Sequence, residues 1–263
     1  MKISKINPFG IRVKLNRQEL NEEVVDELKQ LVYSDKLVLI DGLETLSKNE
    51  LIQFAADFNR DRNRIEEKLL HWDFGPVMEM RPQANPANYL FSHENVPMHW
   101  DGAFHREPSI LVFNCLKGPQ EERGGRTLFS NTENIYERLE GSIIKNWSSV
   151  LLTYETQKLA HYGGRITRAL VHFHPVTKRP FLRFAEPVKT KLNPVKLTVY
   201  GCTKRQALEL VQKMKEELYK EENCYAHQWK AGDLVLADNF SLVHGREAIN
   251  PGDQRHFRRV QIL

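Results

Sequence analysis

Asn95-Val-Pro-Met-His99-Trp-Asp101-Gly102 is the stretch around which the rest of the sequence is organised. It places the imidazole of His99 and the carboxylate of Asp101 two residues apart. If the backbone is extended there, both side chains leave the same face of a strand. Two ligands on one face can bind a single metal ion, so this stretch predicts a metal site on a β-strand.

The third metal ligand has to come from another part of the chain. The best candidate is His244, in Ala237-Asp-Asn-Phe-Ser-Leu-Val-His244-Gly-Arg246. Two histidines and one carboxylate form the facial triad of non-haem Fe(II) oxygenases, which leaves one side of the iron open. The chain contains 10 histidines, so a His-x-Asp pattern alone is weak evidence. The remaining histidines have no carboxylate in a comparable setting and are expected to pack, to support ligands or to line the substrate site.

His71-Trp72-Asp73 repeats the His-x-Asp pattern earlier in the chain. The two copies differ in the residues on their C-terminal side. After the later copy come an apolar run, 110–115, and then Gly124-Gly-Arg-Thr127, where paired glycines let a backbone approach a ligand closely. The earlier copy has no such continuation. We therefore interpret His71 and Asp73 as fold or lid residues and not as metal ligands.

Length and composition argue against several classes of protein. The 263 residues suit one all-β domain covering 1–263. Apolar residues make up 41% and charged residues 27%, which excludes a disordered chain. A net charge of +4 with both signs interspersed gives no basic footprint for nucleic acid. The sequence shows neither a signal peptide nor an apolar run long enough to span a membrane, so we expect a cytoplasmic location.

The sequence of about residues 1–60 predicts a helix, a strand and a helix that precede the main β region of the domain. A strand is expected over 3–15 and a short core strand over 36–41. Apolar residues at helical spacing predict a helix over 18–33. Ser47 and Glu50 form a capping box that opens a second helix.

The remainder predicts short strands separated by turns, which is typical of a sandwich or barrel. One helix interrupts them after the capping box at Thr203 and Gln206. Residues 80–97 are rich in Pro and Asn and predict a loop beside the metal ligands, long enough to act as a lid. The six predicted strands are 110–115, 150–155, 169–173, 181–184, 233–237 and 257–262.

Five blocks occur in a fixed order: His99-x-Asp101, Gly-Gly-Arg-Thr127, Gly232-Asp-Leu-Val-Leu-Ala-Asp-Asn239, His244 and Arg255-His-Phe-Arg-Arg259. With these blocks the chain resembles the TauD/TfdA family of Fe(II)/2-oxoglutarate oxygenases over about residues 74–262. The stretches 74–80, 96–102, 182–187, 225–229 and 244–248 are most similar to the PvcB-like branch of that family, which acts in isonitrile biosynthesis. The resemblance implies an α+β, mainly β fold with a double-stranded β-helix, or jelly-roll, core and flanking helices.

The resemblance also implies roles for individual residues. Arg255 and Thr127 match the residues that bind the far carboxylate of 2-oxoglutarate, a task suited to the guanidinium fork. Arg259 and Asn95 match residues that bind the acidic group of the substrate. Arg246 is a further candidate for this task, with a structural role as the alternative.

The implied reaction uses Fe(II), 2-oxoglutarate and dioxygen. It converts 2-oxoglutarate to succinate and CO2 and removes hydrogen from a small-molecule substrate. In the PvcB-like branch that substrate is tyrosine isonitrile, made by a partner isonitrile synthase. The product is open: a vinyl isonitrile after decarboxylation, or a desaturated product that keeps its carboxylate and can cyclise. Trp100, Phe104 and Trp229 are candidates to wall the phenol ring, with core packing as the alternative.

Two other functions stay open at this point. One is a TauD-like hydroxylase of another small anionic compound, such as a sulfonate or an amino acid. The other is a non-catalytic barrel that binds a small acid or a metal. The combination of three metal ligands with Thr127 and Arg255 argues against a pure binder, which needs neither an open iron face nor a cosubstrate clamp.

Overall fold

Sixteen strands and six α-helices occur in the computed structural model, which describes residues 1–119, 124–157, 163–250 and 252–263. The strands are β1 Lys2–Lys5, β2 Ile11–Lys14, β3 Leu37–Asp41, β4 Met78–Met80, β5 Val96–His99, β6 Ile110–Lys117, β7 Thr127–Asn131, β8 Leu151–Thr156, β9 Gly164–Ala169, β10 Val171–Phe173, β11 Pro180–Leu182, β12 Val195–Tyr200, β13 Cys224–His227, β14 Leu234–Asp238, β15 Leu242–Arg246 and β16 His256–Ile262. The helices are α1 Glu22–Asp35, α2 Lys48–Asp57, α3 Ile65–Lys68, α4 Thr132–Arg138, α5 Gly141–Trp147 and α6 Lys204–Leu218.

Two sheets carry the residues predicted for the site. The larger has seven strands in the order β1-β2-β3-β14-β6-β16-β4, and the smaller has four in the order β13-β7-β15-β5. Their neighbouring strands are antiparallel, apart from the parallel pair β2 and β3. The expectation of a mainly β protein with flanking helices is therefore confirmed.

The centre of the larger sheet is buried on both faces, which explains the continuous apolar runs of β6 and β14. One face packs against α1 and α2 through a cluster that includes Leu28 and Phe54. The other faces the smaller sheet, where the rings of Phe113 in β6 and Phe129 in β7 lie 5.9 Å apart between centroids. The smaller sheet is thereby held at a fixed place over the larger one.

The N-terminal lead-in agrees with the prediction with one correction. Residues 3–15 are not one strand but the two strands of a hairpin, β1 and β2. Gly10 turns the chain between them with φ +94°, and a Cβ there would lie 2.8 Å from the carbonyl oxygen of Leu37. α1 begins at Glu22, capped by the side chain of Asn21, and not at residue 18. The capping box of Ser47 and Glu50 is present at α2.

The later elements contain both confirmed and missed predictions. The capping box at Thr203 opens α6, whose residues Leu210 and Met214 are buried in a second core cluster. The loop predicted over 80–97 is shorter than expected, because β4 and β5 take residues from its ends. The prediction omitted β4, β7, β9, β12, β13 and β15 and the helices α3, α4 and α5. Across the described ranges, no helix has the length and apolar composition needed to cross a membrane.

Candidate active site

The metal-ligand candidates meet where β5 and β15 pair. His99 is the last residue of β5, and it stands opposite His244 of β15 in the register. Asp101 lies two residues later in a turn. Its Oδ1 lies 3.7 Å from His99 Nε2 and 3.8 Å from His244 Nε2, and the two imidazole centroids are 4.4 Å apart. The three predicted ligands are therefore brought together by two neighbouring strands.

The two imidazole nitrogens that face Asp101 suit a metal ion. Nε2 of His99 and of His244 is buried and has no hydrogen-bond partner within the described residues, an arrangement that needs a specific explanation in a folded protein. Nδ1 of His99 lies 2.8 Å from the carbonyl oxygen of Pro97, and in a neutral ring that donates this hydrogen bond Nε2 carries the lone pair. Burial lowers the pKa of both imidazoles, that of His244 to about 3. Both rings are thus neutral ligands at ordinary pH.

The backbone around Asp101 is fixed by the residue Asn239. The amide oxygen of Asn239 accepts from the backbone N–H of Asp101 at 3.0 Å, and its Nδ2 donates to the carbonyl oxygen of Asp101 at 3.1 Å. The next residue, Gly102, has φ +78°, and a Cβ there would clash with the carbonyl oxygen of Arg106. The turn that presents the carboxylate therefore requires glycine.

The carboxylate of Asp101 stays ionised. Burial raises its pKa, but the charge of Arg259, the two imidazoles and a hydrogen bond from Gln261 together bring the pKa below its usual value. Arg259 pairs with Oδ2 at 2.9 Å. In the described ranges, no other group of three His, Cys, Asp or Glu side chains converges in the way that the triad does.

Arg255 and Thr127 lie in a small cavity that reaches His99 and His244. Arg255 Nη2 donates to Thr127 Oγ1 at 2.9 Å, and its Nε donates to the carbonyl oxygen of Gly125 at 3.1 Å. Burial lowers the pKa of Arg255, and within the described ranges no carboxylate pairs with it. A buried cation without an anion is unfavourable, so this cavity suits an acidic ligand.

Trp229 completes this clamp and packs in the core, the alternative that sequence analysis gave to a place in the wall of the substrate site. Its Nε1 donates to Thr127 Oγ1 at 2.8 Å, and Trp229 is not among the residues lining either cavity. Thr127 Oγ1 therefore accepts from two donors, Trp229 and Arg255. Since a hydroxyl oxygen has two lone pairs, its own O–H is left to donate to a ligand.

A second cavity, of about 140 Å³, opens on the other side of the triad. It shares only Leu90, His99 and Arg259 with the first cavity among the described residues. The triad therefore lies where two separate cavities meet. Aromatic side chains form much of the larger cavity's wall: Trp72, Tyr89, Trp100, Phe104 and Tyr154. Two of them, Trp100 and Phe104, were predicted there from the sequence.

The predicted substrate-binding residues occupy different places. Arg259 reaches the larger cavity, where it pairs with Asp101 and its Nη2 lies 3.0 Å from Met78 Sδ. Asn95 is exposed, directly before β5, and lines neither cavity. The structure therefore does not bring Asn95 together with Arg259 around the larger cavity.

Arg246 has the structural role that the sequence offered as its alternative. Its guanidinium donates to the carbonyl oxygens of Leu90, Ser92 and Glu94 at 3.0, 2.7 and 2.5 Å. Arg246 also lines the smaller cavity. These contacts hold residues 90–94 against the end of β15.

His71 and Asp73 stand apart from the triad, as the sequence predicted. Asp73 is exposed, and neither residue belongs to the metal-ligating cluster. Trp72, between them, lines the larger cavity. Of the other histidines, His174 contacts Asp238 and His227 contacts Asp233, each at 3.0 Å, while His161 lies outside the described residues.

Comparison with known proteins agrees with this geometry. A model of the family described as "Taurine catabolism dioxygenase TauD, TfdA family" matches residues 2–261. The 3-((Z)-2-isocyanoethenyl)-1H-indole synthase of Fischerella ambigua is 36% identical, covering 99% of this chain and 95% of that protein. The tyrosine isonitrile desaturase of Pseudomonas aeruginosa is 33% identical, covering 97% and 87%. A structure of PvcB, described as an Fe, alpha-ketoglutarate dependent oxygenase from an isonitrile synthetic pathway, is 29% identical with a TM-score of 0.79, covering 99% of this chain and 91% of that one. The chain belongs to the TauD/TfdA family of dioxygenases.

Proposed function

We propose that this chain is an Fe(II)/2-oxoglutarate-dependent oxygenase of isonitrile biosynthesis that desaturates an aromatic isonitrile. The observation that carries the proposal is the meeting of two cavities at His99, Asp101 and His244. One cavity contains a buried guanidinium and a hydroxyl donor, and the other has aromatic walls. A cosubstrate and a substrate can thus reach one metal ion from two sides.

In this proposal His99, Asp101 and His244 hold Fe(II), for which two imidazoles and one carboxylate are a known ligand set. Iron with 2-oxoglutarate and dioxygen supplies the oxidising power, and the protein supplies binding and orientation. Arg255 binds the far carboxylate of 2-oxoglutarate, and the O–H of Thr127 donates to the same group. The cation that burial leaves unpaired is then neutralised by the cosubstrate.

The larger cavity takes the substrate. Arg259 is the only Arg or Lys among the described residues that line this cavity, and we assign it to the substrate carboxylate; it can serve this group while it stays beside Asp101. A role of Asn95 in substrate binding remains a proposal from the sequence, since Asn95 does not line the cavity. Binding orients the substrate, and the aromatic walls exclude water from it.

Tyrosine isonitrile is our first choice of substrate, because a tyrosine isonitrile desaturase is similar to 97% of this chain. A partner isonitrile synthase would supply this compound. The indole product of the Fischerella relative favours the tryptophan isonitrile as a second choice. That product has the carbon skeleton left when tryptophan isonitrile loses CO2 and two hydrogens. Both compounds present an aromatic ring, an isonitrile and a carboxylate.

We also assign the two facing sheets to the two sides of a double-stranded β-helix, within one domain of residues 1–263. This assignment is supported by the common core between β6 and β7 and by the match of the family model to residues 2–261. A cytoplasmic location stays a prediction from the sequence.

Mass spectrometry of single turnovers tests the proposed reaction. The protein is loaded anaerobically with Fe(II) and 2-oxoglutarate, mixed with the tyrosine or tryptophan isonitrile, and exposed to air. Loss of CO2 and two hydrogens identifies a vinyl isonitrile synthase, and loss of two hydrogens alone identifies a desaturase that retains the carboxylate. Addition of oxygen would indicate a hydroxylase. Unchanged substrates in a protein that binds both iron and 2-oxoglutarate would refute the isonitrile assignment.

A further inference from the structure

The two oxygens of Asp101 have different surroundings. Oδ1 faces the ligand nitrogens of His99 and His244, at 3.7 and 3.8 Å. Oδ2 accepts from Gln261 Nε2 at 2.6 Å. Arg259 Nη1 contacts both oxygens, at 3.2 Å from Oδ1 and 2.9 Å from Oδ2. Oδ1 is thus the oxygen directed at the metal site, and the Gln261 amide holds Oδ2 alone.

The side-chain amide of Gln261 has a defined orientation. Trp72 Nε1 lies 2.8 Å from Gln261 Oε1, and an indole N–H can only donate. The amide must therefore turn its oxygen to Trp72 and its NH2 group to Asp101. Gln261 is buried in β16, and its carbonyl oxygen accepts from the backbone N–H of Leu70, close to Trp72, at 2.8 Å. These contacts tie the segment around Trp72 to β16.

We propose that Gln261 and Trp72 are positioning residues that make Asp101 bind the metal through Oδ1 alone; this rests on the proposed function for the presence of the metal. If the carboxylate were free to rotate about its Cβ–Cγ bond, Oδ2 would approach the ion as well. A second carboxylate oxygen would occupy a position that the facial triad leaves open for other ligands. Groups that orient a metal ligand from behind commonly affect metal affinity and activity.

The hydrogen bonds from Trp72 to Gln261 and from Gln261 to Asp101 form a relay. Trp72 also contacts the site directly, because its side chain lines the larger cavity. The same indole therefore forms part of the substrate wall and fixes the amide that holds Asp101. This arrangement assigns a task to the earlier His-x-Asp copy. Its middle residue acts on the site through Gln261, and its histidine and aspartate do not.

Two substitutions separate the two hydrogen bonds of the relay. Gln261→Met has a similar length and removes both bonds. Trp72→Phe keeps an aromatic wall but removes the indole donor, so the oxygen of the Gln261 amide loses its partner and the amide is less firmly held against Asp101. The matched controls are Gln53→Met, on the exposed face of α2 where Gln53 bonds Asp57, and Trp147→Phe, in α5 and in the second core cluster.

The measurements are the dissociation constant and the visible absorption spectrum of Co(II) bound to the full chain without cosubstrate, with thermal melting to verify folding. We expect Gln261→Met to raise the dissociation constant about 10- to 100-fold and to change the spectrum, which reports the coordination of the ion. Trp72→Phe should cause a smaller change in the same direction. Both controls should resemble the wild type.

The outcomes distinguish this inference from the proposed function. If the wild type binds no Co(II), the metal site fails and the relay fails with it. If the wild type binds Co(II) and both folded variants give the same affinity and spectrum as the wild type, the relay alone is refuted. Should Gln261→Met not fold, Trp72→Phe decides the question, and a wild-type spectrum and affinity in that variant would overturn the proposal.

Discussion

Replacing Arg255 by methionine tests the cosubstrate clamp most directly. Methionine fills a similar volume beside Phe257 but removes the charge and the donors to Gly125 and Thr127. Removing one partner of a buried, hydrogen-bonded charge pair costs about 2–5 kcal/mol. At ~1.4 kcal/mol for each factor of ten, the dissociation constant of 2-oxoglutarate should rise ~30- to ~5,000-fold.

Anaerobic calorimetric titration of 2-oxoglutarate into the Fe(II)-loaded protein measures this effect, and Co(II) affinity and thermal melting show whether the metal site and the fold are intact. Arg12→Met is the matched control, since Arg12 pairs with Asp41 in the half-exposed β2–β3 region. The reasoning is refuted if Arg255→Met binds 2-oxoglutarate like the wild type. If instead Arg255→Met loses affinity for the substrate and an Arg259 variant loses affinity for 2-oxoglutarate, the two arginines exchange roles.

Three further predictions rest on contacts within the site. His244→Ala should abolish metal binding and turnover, whereas His71→Ala should bind Co(II) like the wild type, because His71 does not belong to the metal-ligating cluster; loss of metal from the His71 variant would show that the wrong copy was chosen. Trp229→Phe removes one neutral hydrogen bond to Thr127, of about 0.5–1.5 kcal/mol, and should raise the dissociation constant of 2-oxoglutarate about 2- to 10-fold; an unchanged value would mean that the Thr127 hydroxyl needs no second donor. Because burial lowers the pKa of His244 from 6.5 to about 3, the unfolded chain binds a proton there that the folded chain does not, so the metal-free protein loses stability as pH falls below about 6.5. Urea unfolding should show a loss of about 2 kcal/mol from this group between pH 7 and pH 5, and His244→Gln should remove that part of the pH dependence; an equal slope in the variant would contradict the burial argument.

The sequence predicted the residues of the site more fully than the elements that carry them. The surrounding motifs, and not the His-x-Asp spacing alone, identified His99, Asp101 and His244, which the structure brings together at one point. The strands beneath Thr127 and His244 were missed, since each is short, and β15 contains a glycine that weakens a strand pattern. The alternation of Val195–Tyr200, which matches β12, was a signal that could have been used.

The supporting residues could not be predicted in the same way. Gln261 acts on Asp101 across 160 positions of sequence, and Trp72 acts on Gln261 across 189. No sequence spacing predicts either contact, because both depend on where β16 passes behind the turn at Asp101. Trp229 was noticed as an aromatic residue near a motif, but its ring packs against Phe257 and His227 in the interior. Only the folded chain shows that its N–H reaches Thr127.

The division between the two cavities has a consequence for how this enzyme can evolve. They share only Leu90, His99 and Arg259 among the described residues, so a mutation at Tyr154 or Val195 changes the wall of the larger cavity and leaves the Arg255 cavity unaltered. Selection can then remodel the choice of substrate in single steps while each intermediate retains its cosubstrate chemistry. A lineage built on this scaffold is free to diversify its products as long as it keeps the three metal ligands and the Arg255 cavity.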